Sequence, residues 1–354
     1  MTAAPPDAEA LIERRGRAGV IVLNRPKALN ALTLTMVRLI ADALDRWERD
    51  GAVSRIVVVA AGERAFCAGG DIRRLYDLGR AGDHAAQLTF WREEYQLDRR
   101  IKTYSKPIVV LADGITMGGG VGLMMNAAHR VVGERFIFAM PEVGIGFFPD
   151  VGASSFLPRL KHRVGVYFAL TGLRADGGDA LALGLAQTFV ASAALPALLQ
   201  ALESDEQPVE AALARFAAPP PRSALIGEAE NIEASFSRPD REAILEALRH
   251  AEGRDLTFAA PARAAMLKKS PTSQAIALMQ MTLGPTLDVD QALRMDYRIV
   301  SRICRGHDFY EGVRAVIVDK DNRPQWSPPP SPAEVDAYFA PLGDSELTFP
   351  ARGG

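Results

Sequence analysis

The chain has 354 residues, 48% of them hydrophobic, enough for a large core or two packed units. Charged residues make up 24% and the formal net charge is −2, which gives no global electrostatic case for nucleic acid or an anionic membrane surface. Two distant cysteines, Cys67 and Cys304, and five histidines without ligand spacing argue against disulfide, redox and metal motifs.

Met1 to Ala10 is small, acidic and Pro-containing. It lacks the apolar run of a signal peptide and the Arg/Ser-rich amphipathic character of a transit peptide. No stretch is long and charge-free enough to span a bilayer. The expectation is a soluble cytoplasmic protein with a flexible lead-in over residues 1–10. Leu11–Arg15 and Val20–Leu23 flank Gly16-Arg17-Ala18-Gly19 and predict a hairpin. Thr33 to Glu48 carries Leu34, Val37, Ile40, Ala41, Leu44 and Trp47 at helical spacing, with Thr33 placed as N-cap. Ile56–Val59 and Ile108–Leu111 are continuous apolar runs, as strands covered on both faces require. Val131-Val132 and Phe136–Phe138 add two short strands.

Ala85 to Ile101 predicts a helix in which Phe90, Glu94, Leu97 and Ile101 share one face. Glu94 therefore points with the apolar residues and needs a partner or a role. An edge-of-stripe acid reaching solvent or an Arg is the plainer reading. From about Ala153 the pattern turns mainly helical, through Leu195–Leu202, Ile244–Leu248, Ala275–Met281 and Leu293–Ile303. Pro219-Pro220-Pro221 predicts a surface loop. The division expected is a core over 11–200, a helical region over 201–327 and a Pro-rich tail over 328–354 that wraps the surface.

Two Gly-rich segments follow buried strands: Phe66-Cys67-Ala68-Gly69-Gly70-Asp71-Ile72, and Gly114 to Leu123 with Gly118-Gly119-Gly120. Such turns expose backbone N–H groups, and two that converge on one point form an oxyanion hole, worth about 3 kcal/mol of barrier per donor. Tight packing of a helix on a strand explains the glycines equally well. A dinucleotide site is disfavoured, because GxGxxG spacing after the first strand is absent. Met140 to Gly152 then sets two carboxylates, Glu142 and Asp150, among Gly, Pro and apolar residues. Carboxylates in apolar surroundings are costly unless paired. A Pro/Gly turn with one solvated acid and one helix-capping Asp is the alternative.

Leu23-Asn24-Arg25-Pro26-Lys27-Ala28-Leu29-Asn30-Ala31-Leu32, with the two Gly-rich segments, resembles the crotonase (enoyl-CoA hydratase/isomerase) superfamily. Trp91–Tyr95, Met140–Glu142 with Phe148–Gly152, Lys269–Ser273 and the stretch from Arg305 to Asp321 resemble a subgroup of it that hydrolyses 3-hydroxyacyl-CoA thioesters. The resemblance covers nearly the whole chain and is most specific in its C-terminal segments. It implies an α/β fold, a crotonase-like superhelix of ββα repeats with a helical C-terminal region.

It also implies an acyl-CoA substrate whose thioester oxygen sits between the N–H groups of Gly70 and Gly119. Enoyl-CoA hydratases use two glutamates; one matches Glu142, and the other falls at Gly122, where it is missing. Concerted water addition to a double bond needs both, so the departure argues against a hydratase. The hydrolase pattern keeps Glu142, Asp150 and Glu94. It implies Glu142 as general base or nucleophile, Asp150 as positioning Glu142, the substrate hydroxyl or the water, and Glu94 at the substrate hydroxyl or supporting the other acids. Lys27, Arg73 and Arg74 lie near the matching loops and are candidates for the CoA phosphates.

The acyl group stays open between 3-hydroxyisobutyryl, 3-hydroxypropionyl and a relative. No cofactor beyond the CoA of the substrate, no metal, no nucleic acid and no membrane are expected. Crotonase relatives often form trimers or dimers of trimers, which leaves a homo-oligomer open. The competing readings are a hydratase or isomerase using one glutamate and a non-catalytic acyl-CoA-binding protein.

Overall fold

β1 (Ala10–Arg15) and β2 (Ala18–Leu23) pair antiparallel across a turn at Gly16, whose φ of +56° suits glycine. The computed structural model describes residues 8–349 apart from 205, 255 and 256. The remaining strands are β3 (Arg55–Ala60), β4 (Ala65–Cys67), β5 (Ile108–Ala112), β6 (Ile115–Met117), β7 (His129–Val132), β8 (Ile137–Ala139), β9 (Ala175–Asp176) and β10 (Thr188–Phe189). They form a six-stranded sheet, β1-β2-β3-β5-β7-β10, and a four-stranded sheet, β4-β6-β8-β9. Successive strands alternate between the sheets: β3, β5 and β7 join the first, while β4, β6 and β8 join the second. Helices Ile72–Arg80 and Gly119–Met125 follow the first two such pairs. These are the expected ββα repeats.

The chain divides into two compact units that do not run in chain order. One reaches to Gly70 and takes in Gln96–Phe138 and Ala175–Ala224; the other takes in Asp71–Tyr95, Ala139–Arg174 and the chain from Leu225 on. The first holds both sheets apart from Ala139. Val20, Val57, Val109 and Val131 are fully buried on neighbouring strands and pack with Leu198 and Leu202 of the Leu195–Ser204 helix. Each such side chain contributes about 1.5–3 kcal/mol when taken out of water. Helix Leu34–Arg49 starts where expected: Thr33 accepts the Met36 N–H at 3.1 Å, and Met36, Val37, Ile40, Leu44 and Trp47 are buried.

In the second unit most of the chain is helical, with Pro271–Leu283, Val289–Ile303 and His307–Val313 prominent. Trp91 stacks on Phe147 with ring centroids 5.5 Å apart, and both rings pack against Phe309. This aromatic group ties the loop after Glu142 to two helices.

Three expectations need correction. The lead-in over 1–10 does not stay loose to its end, because Ala10 begins β1 and the Glu9 carbonyl accepts the Asn24 N–H at 2.8 Å; residues 1–7 lie outside the described residues. The tail over 328–354 is not only a surface wrap. It contains helix Pro332–Phe339, started by a reciprocal Ser331–Glu334 cap, and it buries Val335 and Leu347; residues 350–354 lie outside the described residues. The chain beyond Ala153 also returns twice to the sheets, as β9 and β10, two-residue strands too short to leave a periodic signal. Pro219–Pro221 is an exposed loop, as expected.

Candidate active site

β8 ends at Ala139, and the next turns of backbone place Glu142. Glu142–Ile145 forms a 3₁₀ turn closed by Gly146. Only glycine suits position 146: its φ is +68°, and a Cβ there would lie 1.9 Å from the Asp308 carbonyl oxygen. Asp308 is itself held by the Ser270 hydroxyl at 2.6 Å and the Ser327 N–H at 2.8 Å, so the turn rests on a braced helix start. The side chain of Glu142 is buried, at 6% exposure, and its Oε2 has no hydrogen-bond partner among the described residues. Burial, then the neighbouring Asp150 charge, pushes its carboxyl well above the usual range, while Lys269 opposes the shift.

Asp150 is also buried, at 4% exposure, and accepts the Tyr95 hydroxyl at 2.8 Å. Burial raises its carboxyl to about 7 against the pull of that hydrogen bond. The backbone just after it is unusual. Val151 has φ +54° and Gly152 φ +79°. For a β-branched residue this left-handed conformation is a real outlier and stores about 1–3 kcal/mol.

Three residues that the sequence reading missed surround this turn. Asp296, fully buried on Val289–Ile303, accepts the Gly152 N–H at 2.8 Å. Gln280 donates to Asp296 at 3.1 Å and to the Pro149 carbonyl at 3.0 Å. Tyr95 supplies the hydroxyl to Asp150, and burial followed by the charges of Asp150, Asp296 and Glu94 drives its own pKa far up. Asp296 is likewise raised by burial and by Asp150. Lys269 faces Glu142 from the start of the Pro271–Leu283 segment; burial lowers its pKa and the Glu142 charge partly restores it. Four acids and one lysine thus share an apolar region, and they cannot all be ionised together.

Glu94 is buried with Phe90, Leu97 and Ile101, as the helical spacing requires. It stands beside Tyr95 and acts on it by charge. The structure therefore brings Glu142, Asp150 and Glu94 into one unit, with Asp150 and Glu94 beside Tyr95 and Glu142 beside Asp150.

Gly70 and Gly119 belong to the other unit. The Leu32 N–H donates to the Gly69 carbonyl at 2.8 Å, and Leu32 bridges Gly70 in parallel fashion. Asn30, at φ +55°, braces this pairing from below: its side chain accepts the Arg25 N–H at 2.8 Å and donates to the carbonyls of Ala61 at 3.0 Å and Ala65 at 2.9 Å. Gly119 is the first residue of Gly119–Met125, so its N–H has no acceptor within the helix. The two loops adjoin, since a Cβ on Gly69 would lie 3.9 Å from the Gly119 nitrogen. Gly120 lets the helix sit down on β4, where a Cβ would meet the Cys67 carbonyl oxygen at 2.2 Å.

Lys27, Arg73 and Arg74 are all exposed, and Arg73 pairs with Asp77 at 3.2 Å. Among the described residues no group of three or more His, Cys, Asp or Glu side chains is arranged to hold a metal ion.

Strands dealt alternately to two sheets, with a Gly-rich helix start following one such pair, define the crotonase fold. The chain belongs to the enoyl-CoA hydratase/isomerase family, whose model matches residues 18–339. It is 44% identical to the mitochondrial 3-hydroxyisobutyryl-CoA hydrolase of Xenopus tropicalis over 96% of this chain and 91% of that one. It is 42% identical to the human mitochondrial protein of the same name, with the same coverage. Among solved structures, an enoyl-CoA hydratase from Rhodobacter sphaeroides 2.4.1 is 43% identical with TM-score 0.90, covering 97% of this chain and 100% of that one. A carnitinyl-CoA dehydratase from Mycobacterium thermoresistibile is 38% identical with TM-score 0.91, covering 97% and 99%. The expectation of a cytoplasmic protein is overturned by the hydrolase relatives, which are named as mitochondrial.

Proposed function

We propose that this chain hydrolyses 3-hydroxyisobutyryl-CoA to 3-hydroxyisobutyrate and free CoA, a step of valine breakdown. The observation that carries the reading is Glu142, a buried carboxyl with one oxygen unpartnered and its ionisation opposed by burial and by Asp150. A buried acid with a free oxygen is poorly suited to support the fold and well suited to meet a reactant. The names of the relatives at 42–44% identity supply the substrate.

In this reading the N–H groups of Gly70 and Gly119 receive the thioester oxygen as negative charge develops on it. Glu142 either takes a proton from water as the water adds to the thioester carbon, or adds to that carbon itself to give a mixed anhydride that water then opens. Both routes release CoA as a thiol after protonation of the sulfur. A single turnover in ¹⁸O-water separates them, because only the anhydride route can leave label in the protein. Asp150 positions Glu142 or the water, and Glu94 serves the substrate hydroxyl or supports the other acids. Lys27, Arg73 and Arg74 are exposed cations available to the CoA phosphates. The reaction takes acyl-CoA and water and calls for no further cofactor. A homo-oligomer is part of the same proposal and is checked by light scattering on the purified chain.

The Rhodobacter sphaeroides structure described as an enoyl-CoA hydratase favours a second reading, hydration or isomerisation through Glu142 alone. Gly122, placed where a hydratase carries its other glutamate, weighs against hydration. Thiol release from 3-hydroxyisobutyryl-CoA, hydration of crotonyl-CoA and double-bond shift in a 3-enoyl-CoA are measured side by side. Release from the first alone supports the proposal. Turnover only of the others, or micromolar binding without turnover, overturns it.

A further inference from the structure

The turn that carries Asp150 is bracketed by two buried polar side chains from elsewhere in the chain. On its N-terminal side Gln280 holds the Pro149 carbonyl at 3.0 Å; on its C-terminal side Asp296 holds the Gly152 N–H at 2.8 Å. Gln280 also donates to Asp296 at 3.1 Å, so the two brackets form one clamp. Between them lies Val151, buried and at φ +54°. A β-branched residue leaves that conformation unless its surroundings hold it there.

An acidic bracket is a poor choice for packing alone. Asp296 has no exposure and faces a second buried carboxyl, Asp150. Apolar side chains of similar volume would fill the space without the desolvation cost. The charged and titratable groups in its surroundings are Asp150 on the turn, Tyr95 and Glu94 on helix His84–Lys102, and beyond Asp150 the pair Glu142 and Lys269.

We propose that Asp296, supported by Gln280, is the positioning residue for Asp150: it keeps the Asp150–Val151–Gly152 turn in its strained form, so that the Asp150 carboxyl stays on the Tyr95 hydroxyl. Asp296 acts on the reaction only through Asp150. The inference rests on the reading of Glu142 and Asp150 as reacting groups of a thioester hydrolase.

The test uses the full chain. Asp296→Asn keeps the shape, but its amide group cannot satisfy both Gly152 and Gln280, so one bracket is lost. The expected result is a kcat lowered about 10- to 100-fold, as for a small misplacement of a reacting group. KM should stay within about twofold, because uniform binding is untouched. Val151→Gly is then added. Glycine takes φ +54° freely, so the turn persists without the clamp, and kcat is expected to recover about tenfold even though removal of the buried isopropyl group lowers Tm. Rising activity with falling Tm is a pattern that a purely structural role does not give.

If Asp296→Asn fails to fold, Gln280→Leu removes the Pro149 bracket and the support to Asp296 while leaving the Gly152 bracket, with a smaller loss and the same rescue expected. Rates are expressed as ratios to the wild type on whichever acyl-CoA the wild type turns over. A wrong substrate assignment changes the wild-type profile, whereas a wrong clamp changes the ratios. Hydrogen exchange at the Gly152 amide decides without turnover: in Asp296→Leu, which leaves that N–H without its acceptor, it should accelerate about 100-fold or more while neighbouring helices are unchanged. Wild-type kcat in a folded variant, absence of rescue by Val151→Gly, or an unchanged Gly152 amide each overturns the proposal.

Discussion

The Tyr95 hydroxyl donates to Asp150 Oδ2 at 2.8 Å, in a region where Asp150, Asp296 and Glu94 all act on Tyr95 by charge. This hydrogen bond favours the ionised form of Asp150, against burial, which favours the neutral one. Tyr95→Phe removes the first influence and leaves the second. The Asp150 carboxyl should therefore move further up, and the acidic limb of the pH–rate profile should shift to higher pH. The variant should also lose about 1.5–3 kcal/mol of stability, the usual range for a hydrogen bond to a charged group. An unshifted profile in a folded Tyr95→Phe protein would remove Asp150 from the titrating machinery.

Glu142→Gln keeps the volume of the side chain and deletes its basicity. Turnover should fall by about 10²–10⁴, the range for loss of a positioned general base, or further if the carboxylate is the nucleophile. Binding of CoA, followed by calorimetry, should stay near wild type. Because Oε2 is buried without a partner, the amide should cost the fold nothing, and Tm should hold or rise. Wild-type thiol release by this variant would end the assignment.

Stability should fall as pH rises through the range of the acid cluster. A carboxyl with a folded pKa above its unfolded value holds its proton longer in the folded chain. Its contribution is fully present below the unfolded pKa and is lost as pH climbs through the folded one. For Asp150 that window runs from the ordinary value of 3.8 to about 7, and Glu142 and Asp296 shift in the same direction. Urea unfolding of the wild type and Asp150→Asn between pH 5 and 8, a range of about half a dozen points, should show the variant gaining relative stability at the upper end. Parallel curves would contradict the buried, raised Asp150.

Gly120→Ala places a methyl group 2.2 Å from the Cys67 carbonyl oxygen, which is backbone and cannot swing aside. Helix Gly119–Met125 must lift, and the Gly119 N–H moves with it. A stability loss of about 1–3 kcal/mol is expected from the overpacking. Under the proposed role of Gly119, a larger fractional loss in kcat than in CoA affinity should accompany it, because a displaced oxyanion donor costs about 10²–10³ in rate. Thermal unfolding and steady-state kinetics on one preparation give both numbers. Unchanged kcat with lowered Tm would detach this helix start from the chemistry.

Much of the fold is legible in the sequence because its signals are local. The Gly16 hairpin, the Thr33 cap and the apolar β3 and β5 depend on neighbours a few residues away. Glu94 was legible because three apolar residues on the same face fixed its direction. Asp296 carries the same signal, lying with Leu293, Val300 and Ile303 at spacings that share one helix face, and the stripe test would have singled it out. Gln280 and Tyr95 are different. Their partners, Pro149 and Asp150, lie 131 and 55 residues away. Nothing local in a sequence announces such a pairing. The strain at Val151 was equally hidden, since a valine there gives no turn signal.

Asn30 splints Arg25, Ala61 and Ala65 beneath the strand segment that pairs with Gly69 and Gly70. The Asn24 to Leu32 segment that makes the family recognisable is thus largely a brace for one loop. A chain can carry this signature in full and still perform a different reaction, because the signature describes the bracing of one loop and is silent about the acids at 142, 150 and 296. Sorting relatives by reaction therefore calls for comparing positions 122, 142, 150 and 296 rather than the segment by which they are found.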